Sequence, residues 1–302
     1  MRASRDFSSP EWVAFLMRSL LLSVLLIPAL SFAQQTASAP RADGASTPLM
    51  VYAAQGDVHG CAPLALLSHG AGGSERGLAY LARAMSEQGW TAIVMGHRES
   101  GREVAVSLMR KNGGRRGGLQ ALITTPKAME ARLMDIGAAL AWQQKRCAPP
   151  YKVLMGHSMG AETVEMEAGA PNKLGVKGGA DRFDAYVILS GMGVGAVFPA
   201  KAWGEFHKPV LVMTGTLDKS LETGEYTWRT EPFREMPTDG QRACHWLGAV
   251  DGATHADFGG NGDEMQRVGP IAISTVKAFV AGARAGKCVL PAGVAGLDLK
   301  AK

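Results

Sequence analysis

The pentapeptide Gly156-His157-Ser158-Met159-Gly160 stands between an apolar run, residues 151–155, and a run of helix-forming residues, 161–168. A short hydrophobic strand, a Gly-x-Ser-x-Gly turn and a helix, in that order, are typical of a nucleophile elbow. Such a turn is so tight that its serine adopts a strained backbone conformation, and small residues beside it let the strand and the helix approach closely. We therefore predict that the Ser158 hydroxyl projects above a sheet.

Around this turn, short apolar runs alternate with segments of helical periodicity. The runs expected to form strands lie at 49–54, 63–68, 91–95, 151–155, 185–189, 209–213 and 247–250, and helices are expected at about 77–88, 125–145 and 263–283. Continuous apolar strands separated by helices call for a mostly parallel sheet covered on both faces. The sequence therefore predicts an α/β fold, with its functional residues at the carboxyl ends of the strands.

A serine hydroxyl needs a histidine within hydrogen-bond reach to become a nucleophile, and that histidine needs a carboxylate to orient it. On a sheet of this type the chain order is Ser, acid, His. Asp218 and His255 each follow a predicted strand, so both reach the same edge as Ser158. We predict the catalytic residues Ser158, Asp218 and His255. The alternatives are a turn-forming Asp218 and a structural His255.

Three other side chains near these positions could compete for the same roles. Asp251 and Asp257 are rival acids, but their closeness in sequence to His255 favours a role in shaping its loop. His157 adjoins the serine, and the geometry of the turn is expected to point it away from the hydroxyl.

A tetrahedral oxyanion needs two hydrogen-bond donors that are fixed in advance. One is expected to be the backbone N–H of Met159, directly after Ser158. The other is expected in the loop His69-Gly70-Ala71-Gly72-Gly73, which follows an earlier strand, and Ala71 is the predicted donor. A phosphate cradle is the alternative for these glycines, and the absence of a following Gly-Lys-Ser/Thr argues against it.

Residues 96–125 are rich in glycine and in arginine and carry few acidic residues. This composition predicts a short basic, glycine-rich lid or loop insertion, and Arg115 and Arg116 are candidate substrate-binding residues. The alternative is a mobile surface loop whose charges are only solvated.

The composition of the chain limits the classes of function. With 302 residues, 46% of them hydrophobic and 20% charged, the chain can bury one large core and needs no second domain. A formal charge of +5 is only mildly basic, and no Lys/Arg tract is interleaved with aromatic residues, so nucleic-acid binding is not expected.

The N-terminal region is predicted to be a signal peptide at residues 1–33. Residues 19–30 form an apolar run that is short for a membrane span, and Ser31-Phe32-Ala33 is a small-x-small pattern with cleavage expected after Ala33. An uncleaved anchor is the alternative, and Met17 is a candidate initiator. Residues 34–48 are expected to be a flexible linker, 49–290 one catalytic domain, and 291–302 a C-terminal tail.

Four cysteines, Cys61, Cys147, Cys244 and Cys288, lie beyond the predicted signal peptide. An even number in an oxidising compartment predicts two disulfides, for which three connectivities are possible. No Cys or His cluster has the spacing of zinc ligands, so no metal site is predicted.

Together, the segments 67–73, 156–160, 215–218 and 253–255 resemble the motifs of the α/β-hydrolase superfamily. Within it, the chain is similar to the branch that contains dienelactone-hydrolase-like proteins, platelet-activating-factor-acetylhydrolase-like proteins and bacterial cutinases, over about residues 49–284. The resemblance implies a serine esterase with a Ser158-Asp218-His255 triad and an oxyanion hole formed by Ala71 and Met159. The departures are a serine where dienelactone hydrolases have cysteine, and no aromatic residue at Ala71 or in 190–195, where cutinases commonly have them. Activity on polyesters is therefore not expected.

The strand order implied by this resemblance also predicts the disulfide connectivity. Cys61 and Cys147 would precede neighbouring strands, while Cys244 would begin the last strand and Cys288 would follow the last helix. The implied pairs are Cys61 with Cys147 and Cys244 with Cys288.

The sequence as a whole predicts a secreted or periplasmic serine esterase that acts on a small-molecule ester. No cofactor, nucleic-acid partner or stable membrane span after signal cleavage is expected. An acyltransferase on the same scaffold is the first alternative, because it needs the same chemistry with an acceptor other than water. A catalytically silent binding protein is the second.

Overall fold

The structure, a computed structural model, describes residues 34–238 and 244–302. The predicted signal peptide, its cleavage site after Ala33 and the alternative start at Met17 lie outside the described residues. None of the helices in the described part of the chain has the length and hydrophobicity that crossing a bilayer requires.

The described residues form one nine-stranded sheet with helices on both faces. Its strands are β1 (Gln34–Pro40), β2 (Ser46–Tyr52), β3 (Leu64–Ser68), β4 (Thr91–Met95), β5 (Lys152–His157), β6 (Ala185–Leu189), β7 (Val210–Gly215), β8 (His245–Val250) and β9 (Leu297–Ala301). The helices are α1 (Ala79–Ser86), α2 (Arg102–Lys111), α3 (Arg115–Ile123), α4 (Pro126–Gln144), α5 (Met159–Glu167), α6 (Glu231–Glu235), α7 (His255–Phe258) and α8 (Met265–Arg284). Short 3₁₀ helices occupy Arg98–Ser100 and Tyr226–Thr230.

The strand order is β1-β2-β4-β3-β5-β6-β7-β8-β9. The six central strands, from β4 to β8, are parallel, whereas β1, β2 and β9 pair antiparallel at the two edges. The predicted α/β fold with a mostly parallel sheet is confirmed. Because β5 lies at the centre, the turn after it emerges in the middle of the sheet's carboxyl edge.

Alternate residues of the central strands supply two separate hydrophobic cores. In β3, Leu64 and Leu66 pack into the core that α4 and α5 cover, while Ala65 and Leu67 pack into the core that α1 and α8 cover. All four side chains are fully buried. Continuous apolar strands are what a sheet covered on both faces requires.

Both ends of the described chain differ from the prediction. Residues 34–40, expected in a flexible linker, form β1, which pairs with β2 from Gln34 to Pro40, and residues 297–301 of the expected tail form β9 on the opposite edge. Edge strands are held by backbone hydrogen bonds and have one partner, so they need few apolar side chains. Composition alone therefore underestimates the extent of the fold.

Residues 96–125 also differ from the irregular lid or loop that their glycines predict. They form the 3₁₀ turn followed by the helices α2 and α3, which pack against each other. A Cβ built on Gly118 would lie 2.5 Å from the Met109 backbone nitrogen, so this glycine permits the close contact between the two helices.

Two disulfides join Cys61 to Cys147 and Cys244 to Cys288. Cys61 and Cys147 precede β3 and β5, which are neighbours in the sheet, and Cys288 follows α8. The pairing implied by the family resemblance is confirmed.

Candidate active site

The turn between β5 and α5 has the backbone conformation expected of a nucleophile elbow. Ser158 has φ 57° and ψ −122°, a left-handed conformation that side chains rarely adopt. A Cβ on Gly156 would overlap the Gly160 carbonyl, and one on Gly160 would overlap the Ser68 carbonyl of β3. The two glycines therefore let α5 leave the sheet at a sharp angle while Ser158 occupies the tip of the turn.

Three side chains from three separate loops meet at this turn. The Ser158 Oγ lies 2.9 Å from His255 Nε2, and His255 Nδ1 lies 2.9 Å from Asp218 Oδ1. Asp218 comes from the turn after β7, and His255 is the first residue of α7, after β8. Because Nδ1–H donates to the carboxylate, Nε2 accepts from the serine hydroxyl, an arrangement that can remove the hydroxyl proton.

Arg229, which the sequence analysis did not single out, pairs with the carboxylate from behind. Its Nε lies 2.7 Å from Asp218 Oδ1, and its Nη1 donates to the carbonyls of Ser190 and Gly191 at 2.9 and 2.7 Å. Burial raises the pKa of Asp218, but the hydrogen bond from His255 and the charge of Arg229 outweigh burial and lower this pKa to about 2. Asp218 is therefore ionised at neutral pH.

Among the described residues, His157 makes no hydrogen bond to the Ser158 hydroxyl and has a structural contact of its own. Its Nε2–H donates to the His255 carbonyl at 2.8 Å. Burial and the neighbouring His255 lower the pKa of His157 to about 3, so it is neutral at physiological pH. His157 thereby holds the backbone of the residue that faces Ser158.

The two rival acids have other partners. Asp257 Oδ2 accepts from the backbone N–H and the hydroxyl of Thr254 at 2.7 Å each, which makes a capping box at the start of α7. Asp251 accepts from the Thr216 hydroxyl at 3.1 Å. Both carboxylates shape loops, and neither makes a hydrogen bond to His255 among the described residues.

The loop after β3 lies directly against the elbow. A Cβ built on Gly70 would be 3.2 Å from the Ser158 Cβ, so any larger residue would crowd the serine. Within the described residues, neither the N–H of Ala71 nor that of Met159 donates to a protein acceptor. Both donors are free to bind an oxygen atom of a ligand beside Ser158.

Solved structures of low sequence identity have a similar fold. Est1E from Butyrivibrio proteoclasticus gives a TM-score of 0.54 at 14% identity, over 82% of this chain and 99% of its own. XC6422 from Xanthomonas campestris, described as an α/β serine hydrolase without a lid, gives 0.50 at 16% identity, over 85% of this chain and 97% of its own. The chain has the α/β-hydrolase fold. A cold-adapted esterase from an Arctic intertidal metagenomic library gives 0.51 at 17% identity, over 74% and 86%. No protein-family profile and no curated protein matches the chain.

In this α/β-hydrolase fold, a cavity of about 400 Å³ opens above the elbow. Ser158, His255 and Ala71 line it, and most of the remaining surface is apolar, contributed by Leu119, Ile123, Met192, Leu221 and Trp228. Its charged lining residues are Arg115 and Arg116 of α3, Lys219, Arg229 and one acidic residue, Glu222. The helix α3 therefore supplies one wall of the cavity.

Proposed function

We propose that this chain is a serine esterase that hydrolyses carboxylic esters through an acyl-enzyme on Ser158. The observation that carries the proposal is the unbroken hydrogen-bonded chain from the Ser158 hydroxyl through His255 to the ionised Asp218, with both distances at 2.9 Å. The strained backbone of Ser158 supports it, because strained conformations persist only where the surrounding structure holds them, and they cluster at active sites. Esterases and a serine hydrolase among the proteins of the same fold support the reaction class.

In the first half of the reaction, Ser158 Oγ attacks the ester carbonyl carbon while its proton moves to His255 Nε2. The carbonyl oxygen becomes an oxyanion that accepts hydrogen bonds from the N–H groups of Ala71 and Met159, each of which contributes about 3 to 4 kcal/mol of barrier lowering. The bond between the carbonyl carbon and the alcohol oxygen then breaks. His255 returns the proton to that oxygen, and the alcohol leaves.

In the second half, a water molecule replaces the alcohol. His255 Nε2 takes one proton from the water as its oxygen attacks the acyl carbon, and the oxyanion again lies between Ala71 and Met159. The bond to Ser158 Oγ breaks, the proton returns to Oγ, and the carboxylic acid leaves. Asp218 stays ionised throughout, consistent with the lowered pKa that His255 and Arg229 maintain.

The cavity suits a small-molecule ester with an apolar portion. Arg115 and Arg116 remain candidate substrate-binding residues at its rim, where they would favour a negatively charged group remote from the ester bond. Arg116 Nη2 already donates to the Leu221 carbonyl at 2.9 Å, so Arg115 is the more available of the two. Replacing both by Gln should lower kcat/KM for a succinate monoester about fivefold relative to an acetate ester. Equal losses for both esters would remove this role, and Arg110→Gln, outside the cavity lining, is the control.

The proposal extends to a secreted or periplasmic location. The two disulfides support it, because disulfides persist in oxidising compartments. Fractionation of cells expressing the full chain tests it: retention of the whole protein in the cytoplasm would contradict the location without affecting the chemistry.

Rapid-mixing kinetics with a p-nitrophenyl ester tests the proposed chemistry. We expect a burst of p-nitrophenolate with an amplitude that scales with enzyme concentration, followed by steady turnover, because the alcohol leaves before the acyl group. Ser158→Ala should abolish both phases while its circular dichroism spectrum is retained. A correctly folded wild-type protein that hydrolyses esters no faster than Ser158→Ala would refute the proposal.

A further inference from the structure

A second hydrogen-bonded chain of side chains (the second chain), formed by Ser68, His97 and Asp135, lies inside the protein behind the loop that follows β3. Ser68 Oγ is 2.9 Å from His97 Nε2, and His97 Nδ1 is 2.8 Å from Asp135 Oδ2. His97 Nδ1–H donates to the Asp135 carboxylate, so Nε2 accepts from the Ser68 hydroxyl, whose oxygen also accepts from Arg132 Nη1 at 3.2 Å. Burial and the nearby charges of Arg132 and Arg41 hold the pKa of His97 well below its usual range, in keeping with a single ring proton.

This second chain cannot perform the chemistry of the first. Ser68 is 0% exposed, His97 2% and Asp135 1%, so no substrate carbonyl can reach the Ser68 hydroxyl. Its residues come instead from β3, from the loop after β4 and from α4. The second chain therefore connects these three elements by hydrogen bonds beneath the loop that carries Ala71.

Arg132 holds the backbone on both sides of Ala71. Its Nη1 donates to the His69 carbonyl at 2.8 Å, two residues before Ala71, and its Nε donates to the Ser100 hydroxyl at 2.9 Å. The Ser100 carbonyl in turn accepts the N–H of Gly72 at 2.8 Å, one residue after Ala71. Ala71 is thus bracketed by two anchors that lead to the same guanidinium.

The side chain of His69 stiffens the same loop. Its Nδ1–H donates to the Gly70 carbonyl at 2.7 Å, while its Nε2 accepts the backbone N–H of His97 at 3.2 Å. Gly70 is the residue that touches Ser158. The contacts of His69 therefore connect the second chain directly to the elbow.

Stability alone does not account for a guanidinium at this place. Arg132 is 0% exposed, and burial lowers its pKa to about 10 although Glu162 and Asp135 counteract the effect. An apolar side chain of similar volume often serves a buried site as well as an ion pair does. The planar guanidinium differs in offering several donors in fixed directions, which is what two separate anchors require.

We propose that Arg132 is a positioning residue that fixes the N–H of Ala71 beside Ser158, with the chain Ser68-His97-Asp135 orienting the start of the same loop. The inference rests on the proposed esterase function, in which Ala71 donates to the oxyanion. An oxyanion donor is effective only when it is held near its productive position, so Arg132 acts on the transition state through Ala71.

Four variants separate positioning from folding. Arg132→Met removes the guanidinium at similar volume, and Arg132→Lys keeps the charge but cannot serve both anchors. Ser100→Ala removes only the hydroxyl that accepts from Arg132 Nε and keeps the carbonyl that accepts from Gly72. It therefore disconnects Arg132 from the Gly72 side, and it remains informative if Arg132→Met does not fold. Arg182→Met is the matched control. Arg182 pairs with the buried Glu167 and precedes β6, so it lies at the amino end of the strands, whereas Ser158 lies at their carboxyl end.

The measurements are kcat and KM for a p-nitrophenyl ester, the affinity for an alkyl boronic acid, and amide hydrogen exchange. For Arg132→Met we expect kcat to fall about 10- to 100-fold with KM changed less than about twofold. The affinity for the boronic acid, which forms a tetrahedral adduct on serine, should fall by a similar factor. Peptides that cover residues 68–73 should exchange about tenfold faster, and peptides from β7 should not. Ser100→Ala should show smaller changes in the same directions.

The proposal is overturned if folded Arg132→Met keeps the wild-type kcat and the wild-type hydrogen exchange at residues 68–73, or if only its KM changes. It is also overturned if kcat falls as much in Arg182→Met. If the wild-type protein hydrolyses no ester, the proposed function fails by that result. Hydrogen exchange at 68–73 then still decides whether Arg132 holds the loop.

Discussion

Replacing Asp218 by Asn changes one atom at the point where the proposed mechanism and the buried charges meet. The Asp218 carboxylate accepts from His255 Nδ1 at 2.9 Å and from Arg229 Nε at 2.7 Å, both through Oδ1. Asn is neutral and of nearly the same shape, so it removes the charge that stabilises the protonated imidazole. Its amide also has a nitrogen that donates, so it no longer fixes the tautomer of His255 as an acceptor-only carboxylate does. We expect kcat to fall about 10³- to 10⁴-fold, which corresponds to about 4 to 5.5 kcal/mol of barrier.

The same substitution has a separate cost in stability. It leaves the buried guanidinium of Arg229 without its counter-charge, and breaking a buried ion pair from one side costs about 3 to 5 kcal/mol. The lowered pKa of Asp218 gives a compatible figure, about 2 to 3 kcal/mol at neutral pH. Urea unfolding gives the stability, and initial rates on a p-nitrophenyl ester, measured well below the unfolding midpoint, give kcat.

Asp257→Asn is the matched control, since it removes another buried carboxylate two residues from His255. Asp257 caps α7 through Thr254, so we expect a stability loss of about 1 kcal/mol and kcat within about twofold of wild type. Equal losses of kcat in the two variants, or wild-type kcat in a folded Asp218→Asn protein, would refute the role of Asp218.

Further outcomes concern pH, packing and the disulfides. The pKa of Asp218 is lower in the folded protein than in the unfolded chain, so its contribution to the free energy of unfolding is full above about pH 4 and disappears as the pH falls through about 2. The difference in stability between wild type and Asp218→Asn should therefore close over that range. A constant difference would contradict the assignment. Gly160→Ala should prevent soluble expression or lower stability by more than about 3 kcal/mol, because its Cβ would overlap the Ser68 carbonyl. Gly293 has open space around it, so the control Gly293→Ala should change stability by less than about 0.5 kcal/mol. The double replacement Cys244→Ser and Cys288→Ser should lower stability by about 2 to 4 kcal/mol with kcat retained, because that bridge lies at the edge of the sheet away from Ser158; a selective loss of kcat would count against this.

The central part of the fold could be predicted from the sequence because its signals are local. Strands such as β3 and β5 are continuous apolar runs with a glycine-rich turn after each, and the conformation of Ser158 follows from the glycines around it. The order Ser, acid, His along the chain then selected three side chains, and the structure places His255 at 2.9 Å from both Ser158 and Asp218.

The parts that could not be predicted depend on partners remote in the chain. The strand β1 has a linker-like composition and forms only because β2 offers a free edge. The helices α2 and α3 contain glycines that favour loops in isolation but allow the two helices to pack together. The composition of a segment does not show what it will pack against, here β2 for β1 and the facing helix for α2 and α3. In both places tertiary pairing overrides local propensity.

The buried arginines illustrate the same limit at the site. Arg132 lies 63 positions from the His69 carbonyl that it holds, and Arg229 lies 39 positions from the Ser190 carbonyl. Nothing near either residue in the sequence distinguishes it from a solvated arginine on a helix. One signal was present for Arg132. Ser68 and His69 lie at the end of β3, His97 and Ser100 follow β4, and the parallel pairing of the two strands places these residues together.

The most direct test of the central claim is the site of covalent labelling by a fluorophosphonate. The wild-type protein, incubated with the reagent and then digested, should carry one phosphonyl group on the peptide that contains Ser158, and His255→Gln should be labelled far more slowly. Ser158→Ala should carry none. A folded wild-type protein that is not labelled, or that is labelled at another serine while Ser158 stays unmodified, would contradict the assignment of Ser158 as the nucleophile.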